Sequence, residues 1–280
     1  MNRRPVFLIT CLCFGFAFFY IPILSLIVFS FNKSRLVTVW GGFSTQWYGK
    51  LFHNDQIIKA AALSLQIAIT SATFATILGT MAGLALARFR QFRGRVVFSG
   101  LVTAPLIMPE VITGISSLML FIMLAQWIGW PAGRGFTTIT IAHITFSMTY
   151  VATIVQSRLS SMDVSIEEAA MDLGSKPWQV LNDVTLPMIS PAIISGWLLA
   201  FTISLDDVVI TNFTSGPGST TLPILIWSKV KLGVTPDINA LATIIITIVG
   251  FCVALAGIIM HRAEVRRERD IQMAIAQNAA

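Results

Sequence analysis

The chain has 280 residues, of which 55% are hydrophobic and only 11% are charged, and its mean hydropathy is +0.78. Soluble domains carry about 25% charged residues, so this composition excludes a disordered protein and argues against an ordinary soluble enzyme. The net charge of +6 does not indicate a nucleic-acid partner, because excess lysine and arginine in an apolar chain usually records membrane topology.

Six long apolar runs follow one another along the chain, and only one of them is interrupted, by Glu110. A helix needs about 20 apolar residues to cross a ~30 Å hydrocarbon core. The runs therefore predict an all-α membrane protein with a single transmembrane domain over 1–280 and a loop at 158–186. Its six predicted spans lie at about 6–30, 58–87, 96–124, 136–157, 187–211 and 238–260.

The N-terminal run follows Arg3 and Arg4, as a signal peptide would, but its apolar stretch exceeds the 7–15 residues of a signal sequence. An uncleaved first helix is therefore expected. With the N-terminus in the cytoplasm, 12 lysines and arginines lie inside and 7 outside. Both termini and the loop 158–186 are then cytoplasmic, and the mixed-charge tail after residue 261 is expected to form a solvated helix.

The three cysteines, Cys11, Cys13 and Cys252, all lie in apolar runs. Their odd number and the lack of CxxC spacing predict neither a disulfide framework nor a metal site. We interpret them as small buried hydrophobic residues.

The loop at 158–186 has the pattern of two short helices joined by a turn. Ser165 and Glu168 have the spacing of a capping box, Gly174 is placed to end the first helix, and a second helix is expected from Trp178 to about Val184, ending at Pro187. Composition leaves two interpretations open. The segment docks into a groove on another protein, or it lies on the membrane surface as an amphipathic connector.

A family resemblance becomes specific in this loop. Glu168-Ala169-Ala170, three residues, Gly174, nine residues and then Val184-Thr185-Leu186-Pro187 resemble the EAA motif of binding-protein-dependent ABC importer permeases, with valine in place of isoleucine. The resemblance implies a type I importer permease (MetI-like) architecture in the bacterial inner membrane. It also implies that Glu168, Ala169, Ala170 and Gly174 couple the chain to an ATP-binding subunit.

The same resemblance implies the partners. A second, homologous permease subunit, two ATP-binding subunits and a periplasmic binding protein are expected beside the lipid bilayer. ATP and its Mg²⁺ would bind in the partner ATPase, and no cofactor is expected in this chain, which has no G-x-x-x-x-G-K-[ST] phosphate loop. The chain is therefore expected to be a permease rather than an enzyme.

Three acidic residues fall within the predicted spans, where a central charge costs about 2.5–3.5 kcal/mol and usually faces protein or a water-filled path. Glu110 is expected in the outer half of span three, where Pro105 and Pro109 break or kink the helix. Asp206 and Asp207 end span five, and because adjacent helical residues point about 100° apart, only one of them is expected to face a given lumen.

These carboxylates predict a negative path that suits a cation. Aromatic side chains nearby would add cation–π contacts of about 0.5–2 kcal/mol each: Trp197, Phe201 and Tyr150. The alternative is that the acids are uncharged or pair with Lys229 and Lys231 of an outer loop.

Three further stretches resemble the polyamine branch of these permeases, the putrescine and spermidine importers. They are APLIMPEVITGIS, SLDDVVITNFTSGPGSTTLP and SKVKLGVTPDINALATI. The resemblance implies polyamine import and a periplasmic polyamine-binding protein. It leaves open which polyamine is preferred, and another organic or metal cation stays an alternative cargo.

Two alternatives belong to other functional classes. His143 and Ser147, four residues apart in span four, would be the start of an intramembrane hydrolase, although such a pair more often forms hydrogen bonds within a bundle. A stand-alone secondary transporter would show paired halves with broken helices and would not need the EAA loop.

Overall fold

The computed structural model describes residues 3–36, 39–89, 91–233, 235–251 and 258. The regular secondary structure of these residues is helical, apart from an isolated β-bridge between Asn32 and Phe43, which confirms the all-α prediction. The helices are α1 (Arg3–Ser30), α2 (Gln46–Phe52), α3 (Asp55–Arg88), α4 (Arg95–Ile107), α5 (Glu110–Ile128), α6 (Phe136–Ser160), α7 (Ser165–Asp172), α8 (Pro177–Val180), α9 (Leu186–Asp206), α10 (Val209–Thr214), α11 (Leu222–Leu232) and α12 (Pro236–Phe251).

Five helical segments of the described chain are long and apolar enough to cross a membrane: Val6–Ser30, Asp55–Arg88, Glu110–Ile128, Phe136–Ser160 and Pro177–Asp206. The shorter apolar helices α4 and α12 complete a pattern that agrees roughly with the six predicted spans. The third predicted span is divided into α4 and α5, as its prolines predicted. The end of the sixth span and the C-terminal tail lie outside the described residues.

The chain divides into two compact units, Met1–Asn54 with Lys229–Ala280, and Asp55–Ser228. In the second unit α3 packs against α6 and α9, and α6 packs against α9. Small and branched side chains fill the centre of this three-helix contact: Ala72, Ala75, Val151, Val155, Leu159, Met162, Ile189 and Ala200. The unit is thus built on three long helices, with α4, α5 and α10 packed around α6.

Two glycines on α3 set the distance between α3 and α6. A Cβ on Gly79 would lie 2.7 Å from the carbonyl oxygen of Met148, and one on Gly83 would lie 2.9 Å from that of Ala152. Glycines four residues apart are a common means of close helix approach in membranes, where packing rather than water exclusion drives association. Any side chain at these positions would force the backbones apart.

In the first unit, Asn32 organises the segment that follows α1. Its fully buried side-chain amide donates hydrogen bonds to the carbonyl oxygens of Leu36 and Val39, and accepts them from the backbone N–H groups of Ser34 and Gly41. The amide thus uses both of its N–H donors and accepts two hydrogen bonds at its oxygen. One buried side chain therefore fixes the path of the loop.

The side chains of α1 are largely exposed, and Cys11 and Cys13 are among them. The prediction that these two cysteines are buried is wrong. Lipid tails are as apolar as leucine, so an apolar spanning helix needs no protein cover to be stable. Cys252 lies outside the described residues.

Candidate functional site

The EAA residues lie on α7 and on the turn that follows it. The helix ends in a Schellman motif, in which Gly174 N–H donates to Met171 O at 2.9 Å and Ser175 N–H donates to Ala170 O at 3.1 Å. Gly174 has a φ of +91° and nothing within 4 Å of its Cβ position. Glycine is therefore needed for its left-handed backbone conformation and not for space, which confirms the predicted helix end.

The start of α7 differs from its prediction. Val164 is the N-cap and makes no side-chain cap hydrogen bond, so the predicted capping box between Ser165 and Glu168 is wrong. Asp163 supplies the local acceptor instead, since its carboxylate receives the Ser165 N–H at 3.0 Å. Hydrogen bonds from the backbone and hydroxyl of Ser165 lower the pKa of the Asp163 carboxyl below its ordinary value.

The second helix does not end at Pro187, and that prediction is also wrong. The chain runs helically from Pro177 to Asp206 through one π-helical turn, Leu181–Thr185, in which the Leu186 N–H donates to Leu181 O. A proline lacks an N–H and crowds the carbonyl of the preceding turn. The wider π turn directly before Pro187 accommodates both effects, so a single helical segment connects α8 with α9.

An ion pair ties α7 to the ends of the long helices. The guanidinium of Arg88, at the end of α3, donates from Nε and Nη2 to Glu167 Oε1 at 3.3 and 2.9 Å, and from Nη1 to Leu159 O at 3.1 Å. The Thr185 hydroxyl donates to the same Glu167 oxygen at 2.7 Å. The Glu167 carboxylate therefore joins α7 to the end of α3 and to the π turn, and Arg88 extends the contact to the end of α6.

The motif residues beside this ion pair face outward. Glu168, Ala169 and Gly174 are exposed, and Ala170 is half-buried. The apolar side chains around them are exposed too, with Leu173 at 89% and Trp178 at 68%. The segment is therefore anchored on one side and presents small and apolar groups on the other.

Two membrane helices of the second unit are broken. Between α4 and α5, Met108 is extended (φ −76°, ψ 136°) and Pro109 is the N-cap of α5, so that Glu110 is its first residue. Between α9 and α10, Asp207 is extended (φ −64°, ψ 129°). Each break leaves the last carbonyl groups of a helix without an intrahelical donor. Glu110 lies at the first break, and Asp206 and Asp207 lie at the second.

The two breaks lie at about the same level of the bundle. The Thr138 hydroxyl donates to Thr214 O at 2.8 Å, and His143 Nε2 lies 3.0 Å from Thr211 Oγ1, so α10 runs antiparallel to α6. The short loop at 129–135 makes α5 antiparallel to α6 as well. Helices α5 and α10 are therefore parallel neighbours.

Close packing sets the register between these two helices. A Cβ on Gly114 would lie 3.4 Å from the Cα of Ile210. Glu110 precedes Gly114 by one helical turn, and Asp206 precedes Ile210 by the same number of residues. Both carboxylates are exposed, and within the described part of the chain neither has an ion-pair partner. The ammonium of Lys229 pairs with Asp237 at 2.7 Å, and the alternative that outer-loop lysines pair with the acids stays a prediction.

Asp207 has a different role from its neighbour. Its carboxylate accepts hydrogen bonds from the N–H groups of Ile210 (3.3 Å) and Thr211 (2.7 Å) and from the Thr211 hydroxyl (2.7 Å), and it lies 3.3 Å from His143 Nε2. The side chain is only 9% exposed. Asp207 therefore caps the first turn of α10, and of the two adjacent acids only Asp206 is exposed; which of them faces a lumen stays a prediction.

A buried polar chain extends from Asp207 across the bundle. His143 Nδ1 lies 2.7 Å from Ser204 Oγ, which accepts a hydrogen bond from the Ser71 hydroxyl at 2.8 Å. Donors and acceptors are all satisfied if the imidazole proton is on Nε2, pointing to the carboxylate. Ser147 Oγ has no partner among the described residues. The predicted preference for bonding within the bundle is thus confirmed for His143, with Ser204, Thr211 and Asp207 as its partners, and Ser147 is not among them.

The predicted aromatic residues fall into two clusters. Trp197 and Phe201 stack at 5.3 Å between ring centroids and pack against the contact of α3, α6 and α9, where the Trp197 indole N–H donates to Thr73 Oγ1 at 3.2 Å. Tyr150 packs edge to face on Phe146 at 5.4 Å, in the cluster that holds Ile210. Tyr150 is therefore grouped with the broken helices, and the other two are not.

Apolar helices around a buried three-helix contact, with a short helix pair anchored at one end, define a multi-pass membrane protein. The family described as "Binding-protein-dependent transport system inner membrane component" matches residues 75–270, and the chain belongs to it. The chain is a transport subunit and not itself an enzyme.

Two curated relatives cover most of the chain. The putrescine transport system permease protein PotI of Escherichia coli (strain K12) is 56% identical over 98% of this chain and 99% of its own. The spermidine/putrescine transport system permease protein PotC of the same strain is 44% identical over 83% of this chain and 86% of its own.

Solved structures support the fold. A chain of a bacterial ABC transporter for import of the acidic polysaccharide alginate superposes with a TM-score of 0.68 at 17% identity, covering 92% of this chain and 96% of that chain. A chain of the MetNI methionine ABC transporter in inward-facing conformations superposes with a TM-score of 0.60 at 15% identity, covering 74% and 95%. These likenesses show the type I importer fold.

Proposed function

We propose that this chain is the membrane-spanning permease subunit of an ATP-driven importer for polyamines, and that it forms half of the translocation path. The observation that carries the cargo assignment is the pair of broken helices with an exposed, unpaired acid at each. The names of the relatives, a putrescine permease and a spermidine/putrescine permease that align with most of the chain, support the same cargo.

The acids and the helix ends suit a flexible dication. The carboxyl ends of α4 and α9 carry partial negative charge from their unsatisfied carbonyl groups, and Glu110 and Asp206 add a full charge each. Two carboxylates on neighbouring parallel helices provide one partner for each ammonium group of putrescine. Asp207 contributes by fixing the break between α9 and α10. Tyr150 lies in the cluster that holds Ile210 of α10. Trp197 and Phe201 line the path farther along α9.

The segment formed by α7, the Gly174 turn and α8 is the coupling element in this proposal. Glu168, Ala169, Ala170 and Gly174 seat in a cleft of an ATP-binding subunit, where their small side chains permit close backbone contact. The side chains of Leu173 and Trp178 are exposed in the chain alone. They form an apolar surface that a bound partner would cover. ATP and Mg²⁺ bind in that partner, which hydrolyses the nucleotide.

The remaining partners complete the assembly. A second, homologous permease subunit closes the path, two ATP-binding subunits sit at the cytoplasmic face, and a periplasmic polyamine-binding protein delivers the cargo. The excess of lysine and arginine in the loops next to the coupling segment supports cytoplasmic termini.

Uptake of labelled putrescine into proteoliposomes that contain the assembled importer tests the path. Glu110→Gln and Asp206→Asn are each expected to lower uptake about tenfold, the effect of roughly 1.4 kcal/mol in cation stabilisation. ATP hydrolysis by the assembly should persist, because neither residue touches the coupling segment. Asp55→Asn, an exposed acid in the first turn of α3, is the matched control.

Normal uptake by both variants would contradict the proposed path. Competition separates the alternative cargo: an excess of unlabelled putrescine or spermidine should suppress uptake, whereas suppression by a divalent metal ion alone would assign the importer to a metal. Uptake by the purified chain without any ATPase would favour a secondary transporter.

A further inference from the structure

A polar cavity of about 350 Å³ opens beside the anchor of α7. It lies between the end of α3, the start of α4 and the end of α6, and its polar lining includes Arg88, Arg95, Gln156 and Ser160. No carboxylate is among the described residues that line it. Two guanidinium groups therefore face one cavity without an acid in its wall, and the cavity favours an anion.

Arg95 has unused hydrogen-bonding capacity in this cavity. Its Nη2 donates to Leu86 O at 3.2 Å, while its Nε is shielded from solvent and has no partner among the described residues. A buried N–H donor without an acceptor destabilises the structure that holds it. Arg88 donates to Glu167 and Leu159 O and keeps one hydrogen free on each terminal nitrogen. An acceptor with several oxygens would satisfy both side chains at once.

The surroundings of the cavity are amphipathic. Met162 and Val164 form an apolar wall, and on α4 the residues that follow Arg95, Val96 and Val97, are 85% and 65% exposed. Guanidinium groups bind phosphate through paired hydrogen bonds, and basic pockets between membrane helices at the cytoplasmic face bind anionic headgroups. Apolar surface next to the arginines suits an acyl chain.

We propose that Arg95 and Arg88 form a binding site for a phosphate-bearing anion, in which an anionic phospholipid headgroup docks beside the coupling segment. The phosphate oxygens accept from the free hydrogens on the terminal nitrogens of Arg95 and Arg88, and the acyl chains lie along α4. Because Arg88 also holds Glu167, an occupied site stiffens the anchor of α7. The site does not depend on which cargo the importer carries.

Lipid retention by the purified full-length chain tests the site without any transport measurement. Native mass spectrometry compares retained phosphatidylglycerol with phosphatidylcholine, and equilibrium dialysis with labelled inorganic phosphate forms a second arm. One arginine near an anionic surface contributes about 1 kcal/mol, so Arg95→Gln should lower retention of phosphatidylglycerol about fivefold. Arg93→Gln, which removes the same charge from an exposed position outside the cavity, should retain it.

Ser160→Asp keeps both arginines and adds a negative charge to the cavity wall, so it should also release the lipid even if Arg95→Gln folds poorly. Selective loss of phosphatidylglycerol in these two variants establishes the headgroup. Phosphate binding with the same variant pattern, without lipid selectivity, establishes the site with free phosphate as its occupant. Equal losses in the Arg93 and Arg95 variants, or no retention of either probe by the unaltered chain, would overturn the proposal.

Discussion

Glu167→Gln isolates the contribution of one carboxylate to the anchor of α7. Glu167 Oε1 accepts from two Arg88 nitrogens and from the Thr185 hydroxyl, and hydrogen bonds to charged groups contribute about 1.5–3 kcal/mol each. The glutamine oxygen keeps part of this, and the Arg88 side chain is 22% exposed, so solvent reduces the loss. We expect the free energy of local opening of α7 to fall by about 2 kcal/mol.

Hydrogen exchange of the amides in α7 measures this quantity, because local opening limits their exchange. A loss of about 2 kcal/mol corresponds to exchange about thirtyfold faster. Glu168→Gln is the matched control, since its side chain is the next one along, has the same chemistry and is exposed. Its exchange should be unchanged, whereas ATP-driven uptake should fall in both variants for different reasons: a loose anchor in one, and a lost contact with the ATP-binding subunit in the other.

A double-mutant cycle with Arg88→Gln completes the test. The pair should be strongly non-additive, because each single change already removes the interaction that the other would remove. Equal exchange rates in the Glu167 and Glu168 variants, or additive effects in the cycle, would refute the reasoning that one shared carboxylate anchors the segment.

Other predictions follow from the same structure. Gly79→Ala should lower the melting temperature of the purified chain, because overpacking costs about 1–3 kcal/mol, while Gly100→Ala, in open space, should leave it equal or higher. Gly174→Ala should speed hydrogen exchange in the last turn of α7, and Gly174→Asn should do so less, because asparagine tolerates positive φ better. His143→Ala should destabilise the bundle by about 2 kcal/mol and Ser147→Ala by less than 1 kcal/mol in thermal unfolding; the reverse order would contradict the assigned network.

The local parts of the coupling segment could be predicted from the sequence, and its anchor could not. The end of α7 depends on Gly174 and the residues directly before it, so spacing alone reveals it. The anchor joins Glu167 to Arg88, 79 residues away, and nothing local marks the two as partners. The capping box predicted between Ser165 and Glu168 was wrong although the two residues have the right spacing. Asp163 supplies the acceptor for the Ser165 N–H instead.

The two helix breaks were predictable to different degrees. Pro109 lacks an N–H and disfavours a helical residue before it, so the sequence predicts the break between α4 and α5. No proline marks the break at Asp207. That break exists because the Asp207 carboxylate takes the N–H groups of α10 and meets His143, a contact that only the packed bundle brings together.

The π turn before Pro187 joins the two candidate sites mechanically. If the second short helix ended at Pro187, a flexible loop would connect the coupling segment to α9. Instead, one helical run of 30 residues, Pro177–Asp206, includes the exposed Trp178 and the exposed Asp206, which lie about 42 Å apart at ~1.5 Å per residue. In the proposed importer, a push on α8 by an ATP-binding subunit is expected to reach the Asp206 carboxylate along this continuous helical run.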